Sequence, residues 1–531
     1  MDLTGLLLAP TSISRPRKYV MKVPFTISDF LYRAENVYSD RVALVDEPDV
    51  PGGGLGELTW REFGVKVREQ AAKLDELGIG IGERVAMVSQ NSGRLMTSFW
   101  GVSGYGRVFV PINFRLSHDE IAYIVDHCGA SMLLVDPSME DTCKDIDVDH
   151  FVVMGTDSDD QMYLAGGEPE IWTPDEDATA TINYTSGTTA RPKGVQQTHR
   201  ALWVNATTFG WHAGVSDRDN YLHTLPMFHC NGWGMPYAVT GMGGKHVVLR
   251  EVRGEDILQR IEEHDITYMC GAPAVVAAVL EAAQDWEGEI PGRGRVRMVV
   301  AGAPPPTQTI ARMEEELGWE FIQIYGLTET SPLLTMNRCR SEWDDFDFEE
   351  KARKLSRAGA PAIGVKIEVD DQGEILARSN VVLEGYWEQP EATAEAIVDG
   401  WFHTGDGGTM DDEHHVTISD RKKDVIISGG ENVSSIEVED VLFSHQAVAE
   451  VAVIGVPHEK WGETVKALVV LAEDQSATEQ DLINYSREKM AHYKCPTSVE
   501  IRDELARTAT GKLQKFKLRA PYWEGMAKQI N

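Results

Sequence analysis

The N-terminal third of the chain alternates between two spacings of apolar side chains. Residues 27–38 and 60–77 place apolar side chains three and four positions apart, which predicts amphipathic helices. Residues 84–89, 108–112 and 131–135 are short, mostly apolar runs of strand length. Strands that alternate with helices are typical of α/β proteins with largely parallel sheets. The pattern therefore predicts a layered α/β domain.

Further along the chain the alternation continues and then changes. Residues 221–249 and 296–302 repeat the strand and helix pattern. Residues 365–376 contain two short alternating segments around an Asp-Asp-Gln-Gly turn, which predicts antiparallel strands of a β-barrel-like subdomain. The acidic stretch 343–350 and the basic stretch 351–357 are predicted to form a surface excursion.

A dense polar break, Asp420-Arg-Lys-Lys-Asp, separates two regions of different pattern. After the break, helix-like segments at 435–442 and 479–489 alternate with strand-like segments, which predicts a small α+β domain. We therefore predict an α/β fold with a large N-terminal domain, residues 1–420, and a small, mobile C-terminal α+β domain, residues 421–531.

The charge of the chain is strongly negative. Its 531 residues include 84 Asp and Glu against 50 Lys and Arg, a formal net charge of −34. A field of this sign repels nucleic acids and anionic membranes, so we expect neither as a partner. The acidic residues are spread along the whole chain, which favours a halophilic host whose high-salt cytosol screens them. An ordinary acidic protein is the alternative.

The halophile hypothesis predicts that the protein stays folded and active in molar KCl, because screening removes the mutual repulsion of its acidic surface. Turnover and the thermal unfolding midpoint, followed as KCl is raised, measure this. Activity that is highest without added salt and falls in molar KCl contradicts the hypothesis.

The six cysteines are isolated from one another, at Cys128, Cys143, Cys230, Cys270, Cys339 and Cys495. None forms a C-x-x-C pair, so we expect free thiols in a reducing cytosol and no zinc cluster. No apolar run reaches the roughly 18 residues of a membrane span. The first residues lack the basic segment of a leader, and the final Lys-Gln-Ile-Asn is not a peroxisomal address. These observations predict a cytoplasmic protein.

One segment concentrates groups that bind phosphate: Tyr184-Thr-Ser-Gly-Thr-Thr-Ala-Arg-Pro-Lys-Gly-Val. Its hydroxyl donors, glycine and cation suit the many acceptor oxygens and negative charges of a polyphosphate. The candidate residues are Thr185, Ser186, Gly187, Thr188, Thr189 and Lys193. The spacing differs from the common loop G-x-x-x-x-G-K-[ST], and a ligand-free surface loop is the alternative. A buried strand is predicted before this segment, and a helix over residues 195–206 after it.

A second candidate segment is Tyr325-Gly-Leu-Thr-Glu-Thr, which follows a strand-like run. Ligand groups often lie where the strands of parallel sheets end. Glu329 offers a hard oxygen for Mg²⁺, and Thr328 offers a hydroxyl for phosphate. Tyr325 offers a flat face on which adenine can stack. A helix start capped by Thr328 is the alternative for this segment alone.

In their order along the chain, these segments resemble those of the adenylate-forming superfamily. This superfamily includes acyl-CoA synthetases, aryl-CoA ligases, luciferases and the adenylation domains of peptide synthetases. The first segment is similar to its phosphate loop, with Ala190 where glycine is commoner and Arg191 as an additional cation. The second resembles the string Y-G-x-T-E, which in the family lies against the nucleotide, and this adds Gly326 to the candidate nucleotide site.

The resemblance assigns further residues to the nucleotide. Asp406 ends the string G-W-F-H-T-G-D and resembles the aspartate that binds the ribose hydroxyls, since a carboxylate can accept two hydrogen bonds. Arg421 aligns with an arginine that contacts ribose or phosphate, although Asp420 stands where glycine is usual. Gly302 and Ala303 resemble the backbone turn that borders adenine. A Gly–Asp turn and a charged linker are the alternatives for the first two.

The segment Pro226-Met-Phe-His-Cys-Asn-Gly-Trp resembles the one that lines the acyl site of the family. His229 is therefore a candidate gate or carboxylate neighbour, and Trp233 is a candidate acyl-pocket residue. A satisfied core histidine is the alternative for His229. Amino-acid-activating relatives generally carry an aspartate here to hold the substrate ammonium, and this chain has none in the segment.

The same resemblance assigns residues of the small domain to two successive steps. Lys512 ends Ala506-Arg-Thr-Ala-Thr-Gly-Lys and matches the lysine that binds the substrate carboxylate and the α-phosphate, with Ala506 in place of the usual proline. An exposed tail lysine is the alternative. Lys423 falls at the hinge of the family. The residues that resemble the lining of the coenzyme A path are Ser428, Gly429, Gly430 and Glu431.

Over nearly the whole chain, the resemblance implies an ATP-dependent acyl-CoA synthetase that forms an acyl-adenylate and then an acyl-CoA, releasing AMP and pyrophosphate. Its catalytic candidates are Lys512, His229, Glu329 and Thr328. It implies ATP, coenzyme A and Mg²⁺, with Thr185 and Glu329 as metal ligands, and a small-molecule carboxylic acid of short-to-medium chain or a fatty acid as substrate. A homodimer is left open. The alternatives are an adenylation enzyme that loads a carrier protein and a luciferase-like oxidase of the same superfamily.

Overall fold

The computed structural model describes residues 21–185, 191–303, 305–421, 425–428, 431–458, 461–507 and 513–524, with the backbone alone at 420, 421, 431, 432 and 462. Within these ranges, strands of the larger part of the chain form three separate sheets, and strands after residue 425 form one further sheet. The α/β fold class predicted from the sequence is confirmed.

The first sheet has parallel strands in its middle and antiparallel strands at its edges. In spatial order its strands are Ala360–Pro361, Leu333–Arg338, Glu320–Gly326, Arg297–Val300, Tyr268–Gly271, Asn220–His223, Lys245–Val248, Val42–Val45 and Glu57–Thr59. Parallel strands end at the same edge of a sheet. The segments that follow His223, Val300 and Gly326 therefore leave this edge together, and they carry the candidate acyl, adenine and metal residues.

The second sheet contains the strands predicted in the N-terminal third. In spatial order its strands are Gly385–Tyr386, Lys193–Thr198, Thr179–Thr185, Val108–Ile112, Arg84–Val88, Ala130–Val135 and His150–Val153. The predicted strands 84–89, 108–112 and 131–135 are thus confirmed. They pair in parallel, and Val108–Ile112 is buried on both faces. Burial on both faces explains why these strands are continuous apolar runs.

The helix predicted over residues 195–206 is wrong at its start. Residues Lys193–Thr198 form a strand that pairs antiparallel with Thr179–Thr185, and the helix runs over His199–Ala213. The Thr198 hydroxyl accepts a hydrogen bond from the backbone N–H of the residue three positions on, and so caps the helix start. Pairing with another strand thus overrides the local helical pattern.

The helices predicted at 27–38 and 60–77 are confirmed as Ser28–Tyr38 and Trp60–Glu76. A capping box between Thr59 and Glu62 starts the second of them. The other α-helices are Gly93–Gly101, His118–Cys128, Glu140–Cys143, Asp159–Met162, His199–Ala213, Met235–Met242, Gly254–His264, Pro273–Ala282, Thr307–Arg312, Phe348–Leu355, Pro390–Ala396, Ser435–Phe443, Glu479–Lys489 and Lys515–Trp523. Short 3₁₀ turns lie at Ser103–Tyr105, Pro137–Met139, Thr156–Ser158, His229–Gly234, Thr328–Thr330 and Ser341–Trp343, and a π turn lies at Met313–Leu317.

The third sheet is antiparallel, and the predicted Asp-Asp-Gln-Gly turn connects its first two strands along the chain. Its strands are Lys366–Val369, Glu374–Arg378, Trp401–Met410, Ile397–Val398 and Val416–Arg421. The Asp370 carboxylate accepts hydrogen bonds from the backbone of Gln372 and Glu374, which closes the turn. Ile375, Phe402 and Tyr325 pack in one hydrophobic cluster, so this sheet is joined to the end of a strand of the first sheet.

The surface excursion predicted over 343–357 is wrong for its apolar residues. Trp343 is only 4% exposed, and it packs with Ala352 and Leu355 in a core cluster of the first sheet. The helix Phe348–Leu355 is amphipathic, so its charged residues stay outside while its apolar face is buried. The prediction from the charges of this segment therefore missed its buried apolar face.

The small C-terminal part has its own sheet and its own apolar cluster. The strands are Glu431–Val433, Ile426–Ser428, Gly462–Leu471, Val448–His458 and Ser498–Ile501. The helices predicted at 435–442 and 479–489 are confirmed as Ser435–Phe443 and Glu479–Lys489. The Asp440 carboxylate accepts hydrogen bonds of 2.9 and 3.2 Å from the backbone and hydroxyl of Thr307, which joins this part to the larger one. The boundary at residue 420 stays a prediction.

All six cysteines lie among the described residues and are free thiols, as the sequence predicts. Within the described ranges, no helix combines the length and apolar character that crossing a membrane requires.

Candidate active site

The base of the candidate phosphate loop is fixed by strand pairing. Thr185 ends the strand Thr179–Thr185, and its Cα partner in the neighbouring antiparallel strand is Lys193. The predicted loop residues Ser186, Gly187, Thr188 and Thr189 lie outside the described residues. The sheet register therefore holds one candidate hydroxyl and the candidate cation of the segment side by side.

Aromatic side chains hold the residues that flank this loop. The Tyr184 hydroxyl lies 2.8 Å from Nδ1 of His127, and burial raises the pKa of Tyr184. The Arg191 guanidinium lies 5.0 Å from the ring centroid of Tyr123, within the range of a cation–π contact. Both ends of the loop thus rest on the helix that contains Tyr123 and His127.

Glu329 and Lys193 meet at a tyrosine that the sequence motifs did not assign. The Tyr386 hydroxyl donates a hydrogen bond of 3.0 Å to Oε1 of Glu329. The Lys193 ammonium lies 4.7 Å from the centroid of the Tyr386 ring. Burial, and after it the negative charge of Glu329, raises the pKa of Tyr386, so the hydroxyl stays protonated and can donate. We call these three residues the Lys193–Tyr386–Glu329 cluster.

The chemistry of Glu329 fits a hard divalent cation. The carboxylate is half-buried in the turn Thr328–Thr330, and its Oε2 atom has no hydrogen-bond partner within the described part of the chain. Carboxylate oxygens and hydroxyls are ligands that Mg²⁺ accepts in proteins. Glu329 and the half-buried Thr185, at the end of its strand, therefore suit the metal predicted from the sequence.

Tyr325 and Asp406 are joined directly. The Tyr325 hydroxyl donates a hydrogen bond of 2.8 Å to Oδ2 of Asp406, and each residue is 7% exposed. Arg421 is the Cα partner of Asp406 across two antiparallel strands, so three of the predicted nucleotide residues are neighbours. Tyr325 also packs in the apolar cluster of the third sheet. Its role as an adenine platform stays a prediction, while its hydroxyl has a role in orienting Asp406.

The candidate adenine turn lies beside this group. Gly302 and Ala303 follow the strand Arg297–Val300 and are exposed. Gly302 has a φ of +98°, a conformation that favours glycine. Because Arg297–Val300 pairs in parallel with Glu320–Gly326, the turn leaves the same sheet edge as Gly326.

A buried polar network links the phosphate loop strand to the candidate acyl segment. Gln197 donates a hydrogen bond of 2.8 Å to the carbonyl of Thr328 and accepts one of 3.1 Å from Asn183. Asn231 donates a hydrogen bond of 2.9 Å to Thr181 in the same network. Sequence reasoning missed these residues. The available signal was the run of amide and hydroxyl side chains in the two strands that flank the phosphate loop, since buried polar groups are retained where they are hydrogen-bonded.

The candidate acyl segment contains a left-handed turn. Residues Cys230, Asn231, Gly232 and Trp233 have φ values of 41°, 46°, 55° and 54°. For residues other than glycine, such a conformation costs roughly 1–2 kcal/mol each, so the surroundings must hold it in place. Trp233 is 4% exposed in the main core, whereas His229 is half-buried at the start of the turn.

The side chain of Asn91 forms hydrogen bonds with the backbone that leads into this turn. Its amide donates a hydrogen bond of 3.1 Å to the carbonyl of Leu225 and accepts one of 2.7 Å from the backbone of Met227. No local sequence pattern indicates this contact, because Asn91 lies far from Leu225 and Met227 along the chain. The backbone of the candidate acyl segment is thus fixed by a buried side chain.

Only some of the small-domain candidates lie among the described residues. Ser428 ends the strand Ile426–Ser428, and its Cα partner is Glu431, whose backbone alone is described. Gly429, Gly430, Lys423 and Lys512 lie outside the described residues. Their roles stay predictions.

Two family models match the chain: that of AMP-binding enzymes over residues 31–387, and that of the AMP-binding enzyme C-terminal domain over residues 437–512. The chain is 34% identical to 4-hydroxybutyrate–CoA ligase 2 of Metallosphaera sedula, over 92% of this chain and 93% of that protein. It is 34% identical to 2-methylpropanoate–CoA ligase CCL4 of Humulus lupulus, over 93% of this chain and 95% of that protein.

Solved structures show the same likeness. The o-succinylbenzoate–CoA synthetase of Bacillus subtilis, in complex with its acyl-adenylate intermediate, is 28% identical with a TM-score of 0.79, covering 94% of this chain and 98% of that chain. The same enzyme in complex with ATP and a magnesium ion gives 28% identity and a TM-score of 0.79, covering 92% of this chain and 99% of that chain.

Proposed function

Because the chain belongs to the family of AMP-binding enzymes and is an AMP-forming acid–CoA ligase, we propose that its substrate is a small carboxylic acid of short-to-medium chain length. The support is that the two relatives described above act, by their names, on 4-hydroxybutyrate and 2-methylpropanoate. The backbone of the candidate acyl segment is held in a left-handed turn, and Trp233 in it is buried. We therefore do not expect a long acyl chain to displace this segment.

In the first step, we propose that the substrate carboxylate attacks the α-phosphorus of ATP, which forms an acyl-adenylate and expels pyrophosphate. The loop hydroxyls and Lys193 bind the pyrophosphate. Asp406, oriented by Tyr325, accepts hydrogen bonds from the ribose hydroxyls. Lys512 lies between the two anions and lowers their repulsion as charge develops.

Glu329 and Thr185 are the residues that we propose to hold Mg²⁺. The ion would neutralise phosphate charge when it is bound. Glu329 supplies the anionic oxygen, and the hydrogen bond from Tyr386 leaves its other oxygen available.

In the second step, we propose that the small domain turns about Lys423, so that Lys512 leaves the site. Ser428, Gly429, Gly430 and Glu431 then line the path by which the thiol of coenzyme A reaches the acyl-adenylate. A turn of this kind lets one small domain serve two reactions in succession, and closure excludes water from a hydrolysable intermediate.

The Lys193–Tyr386–Glu329 cluster is the observation that carries the proposed adenylation step. In this cluster the cation of the phosphate loop contacts the ring of one tyrosine, and a carboxylate suited to Mg²⁺ accepts a hydrogen bond from the hydroxyl of the same tyrosine. Adenylation needs both groups at the same triphosphate, because the departing pyrophosphate is multiply charged. A binding protein without catalysis has no need of that arrangement.

Coenzyme A-dependent AMP formation, measured with a panel of carboxylates, tests the proposal. We expect 2-methylpropanoate, butyrate and 4-hydroxybutyrate to give kcat/KM values about tenfold or more above that of palmitate, because pocket fit discriminates by such amounts. A preference for palmitate contradicts the proposed substrate class. AMP formation that requires a carrier protein, or oxygen consumption with light emission, favours one of the two alternatives from the same superfamily.

A further inference from the structure

Tyr386 lies on a segment that is tied to both sides of the candidate site. The strand Gly385–Tyr386 pairs antiparallel with Lys193–Thr198, and the backbone N–H of Trp387 donates to the carbonyl of Gly194 at 2.7 Å. The backbone N–H of Leu383 donates to the carbonyl of Glu329, also at 2.7 Å. Residues 383–387 therefore connect the phosphate loop strand to the turn that carries Glu329.

The side chain of Tyr386 also contacts both sides of the candidate site, Glu329 through its hydroxyl and Lys193 through its ring. Its hydroxyl donates to Oε1 of Glu329 at 3.0 Å, because an ionised carboxylate can only accept. Its ring face lies 4.7 Å from the Lys193 ammonium, within the distance of a cation–π contact. Lys193 and Glu329, both described in the structure, form no ion pair with each other there.

We infer that Tyr386 is a positioning residue that orients Glu329 for the divalent cation and Lys193 for the departing pyrophosphate. This inference rests on the proposed role of Glu329 as a metal ligand. With Oε1 held by the tyrosine, the carboxylate cannot rotate freely, and Oε2 is presented to the cation in one orientation. Mg²⁺ demands near-ideal geometry, so a fixed ligand orientation raises its affinity.

The size of the effect follows from the general behaviour of groups that hold metal ligands. Removing such a partner typically costs about 10- to 100-fold in metal affinity or activity. The cation–π contact with Lys193 is weaker, at about 0.5–1 kcal/mol for an exposed pair, which corresponds to a factor of about 2 to 5. Loss of the Tyr386 hydroxyl and loss of its ring are therefore expected to have effects of different size that can be measured separately.

Two variants separate them. Tyr386→Phe removes the hydroxyl and keeps the ring, and Tyr386→Leu removes both. Tyr163→Phe is the matched control, because the Tyr163 hydroxyl has a buried hydrogen bond of 2.9 Å with Thr97, away from the candidate site. Circular dichroism checks that each variant is folded. If Tyr386→Leu is unfolded, Tyr386→Phe alone tests the inference.

The main readout is Mn²⁺ binding, followed by electron paramagnetic resonance in the presence of α,β-methylene-ATP, which cannot be cleaved to AMP. We expect Tyr386→Phe to weaken Mn²⁺ binding about tenfold, while Tyr163→Phe binds it like the parent protein. We expect Tyr386→Leu to show, in addition, a dissociation constant for pyrophosphate raised by a factor of about 2 to 5.

The Mg²⁺ concentration that gives half-maximal carboxylate-dependent ATP–pyrophosphate exchange should rise in Tyr386→Phe, with the rate at saturating Mg²⁺ much less changed. Mn²⁺ binding by Tyr386→Phe equal to that of the parent protein overturns the inference, and so does a rate loss that is independent of Mg²⁺. Absence of exchange in the parent protein with every carboxylate contradicts the proposed function instead, and the Mn²⁺ titration distinguishes the two failures.

Discussion

Replacing Lys512 by alanine is expected to abolish adenylation and to spare thioester formation. ATP–pyrophosphate exchange should fall by about 100- to 1,000-fold, because the variant lacks the cation that stabilises charge between the carboxylate and the α-phosphate. The resemblance assigns this lysine to the first step only. Synthetic acyl-adenylate and coenzyme A, supplied together, should therefore still give acyl-CoA at close to the parent rate.

Lys517→Ala is the matched control for this variant. Lys517 is exposed on the helix Lys515–Trp523, close to Lys512 along the chain, and the substitution removes the same charge. It should leave both half-reactions unchanged. If Lys512→Ala lowers both half-reactions equally, the assignment of Lys512 to adenylation is contradicted.

The second large effect is expected for Glu329→Gln. Exchange measured at low Mg²⁺ should fall about 100-fold, the upper end of the losses known for groups that only support metal ligands. Glutamine keeps the shape of the side chain and can still accept the hydrogen bond from Tyr386, so the loss reports the missing charge. Raising the Mg²⁺ concentration should recover part of the rate.

Glu395→Gln is the control, because Glu395 is exposed on the helix Pro390–Ala396 and its substitution removes the same negative charge from the surface. It should not change the Mg²⁺ dependence. If the Mg²⁺ dependence of Glu329→Gln also equals that of the parent protein, the metal is held by another residue.

Local pattern predicted much of the fold, and its failures have physical causes. Buried parallel strands such as Val108–Ile112 are continuous apolar runs, so their bounds were visible in the sequence. Residues 195–198 of the strand Lys193–Thr198 were predicted as helix because the pairing of this strand with Thr179–Thr185 and Gly385–Tyr386 has no local sequence signal. Trp343 was hidden among charges that occupy the outer face of an amphipathic segment.

The candidate site was predictable where one short segment supplies the chemistry. Glu329 and Asp406 each lie in a short string that resembles one of the family, and that resemblance implies the role proposed for each. Tyr386 has no such string around it, and it reaches the site only because residues 383–387 pair with the phosphate loop strand. The contact between Tyr325 and Asp406 is likewise a product of folding, since the two residues belong to different sheets.

Formation of an acyl-adenylate before acyl-CoA is best measured in a single turnover, with ATP labelled with radioactive phosphorus at the α position and 2-methylpropanoate, without coenzyme A. We expect the label to collect in an enzyme-bound acyl-adenylate, and added coenzyme A to convert this intermediate into AMP and acyl-CoA. Formation of labelled ADP in place of the acyl-adenylate, or of AMP with no acyl-adenylate before it, is incompatible with the proposed two-step reaction.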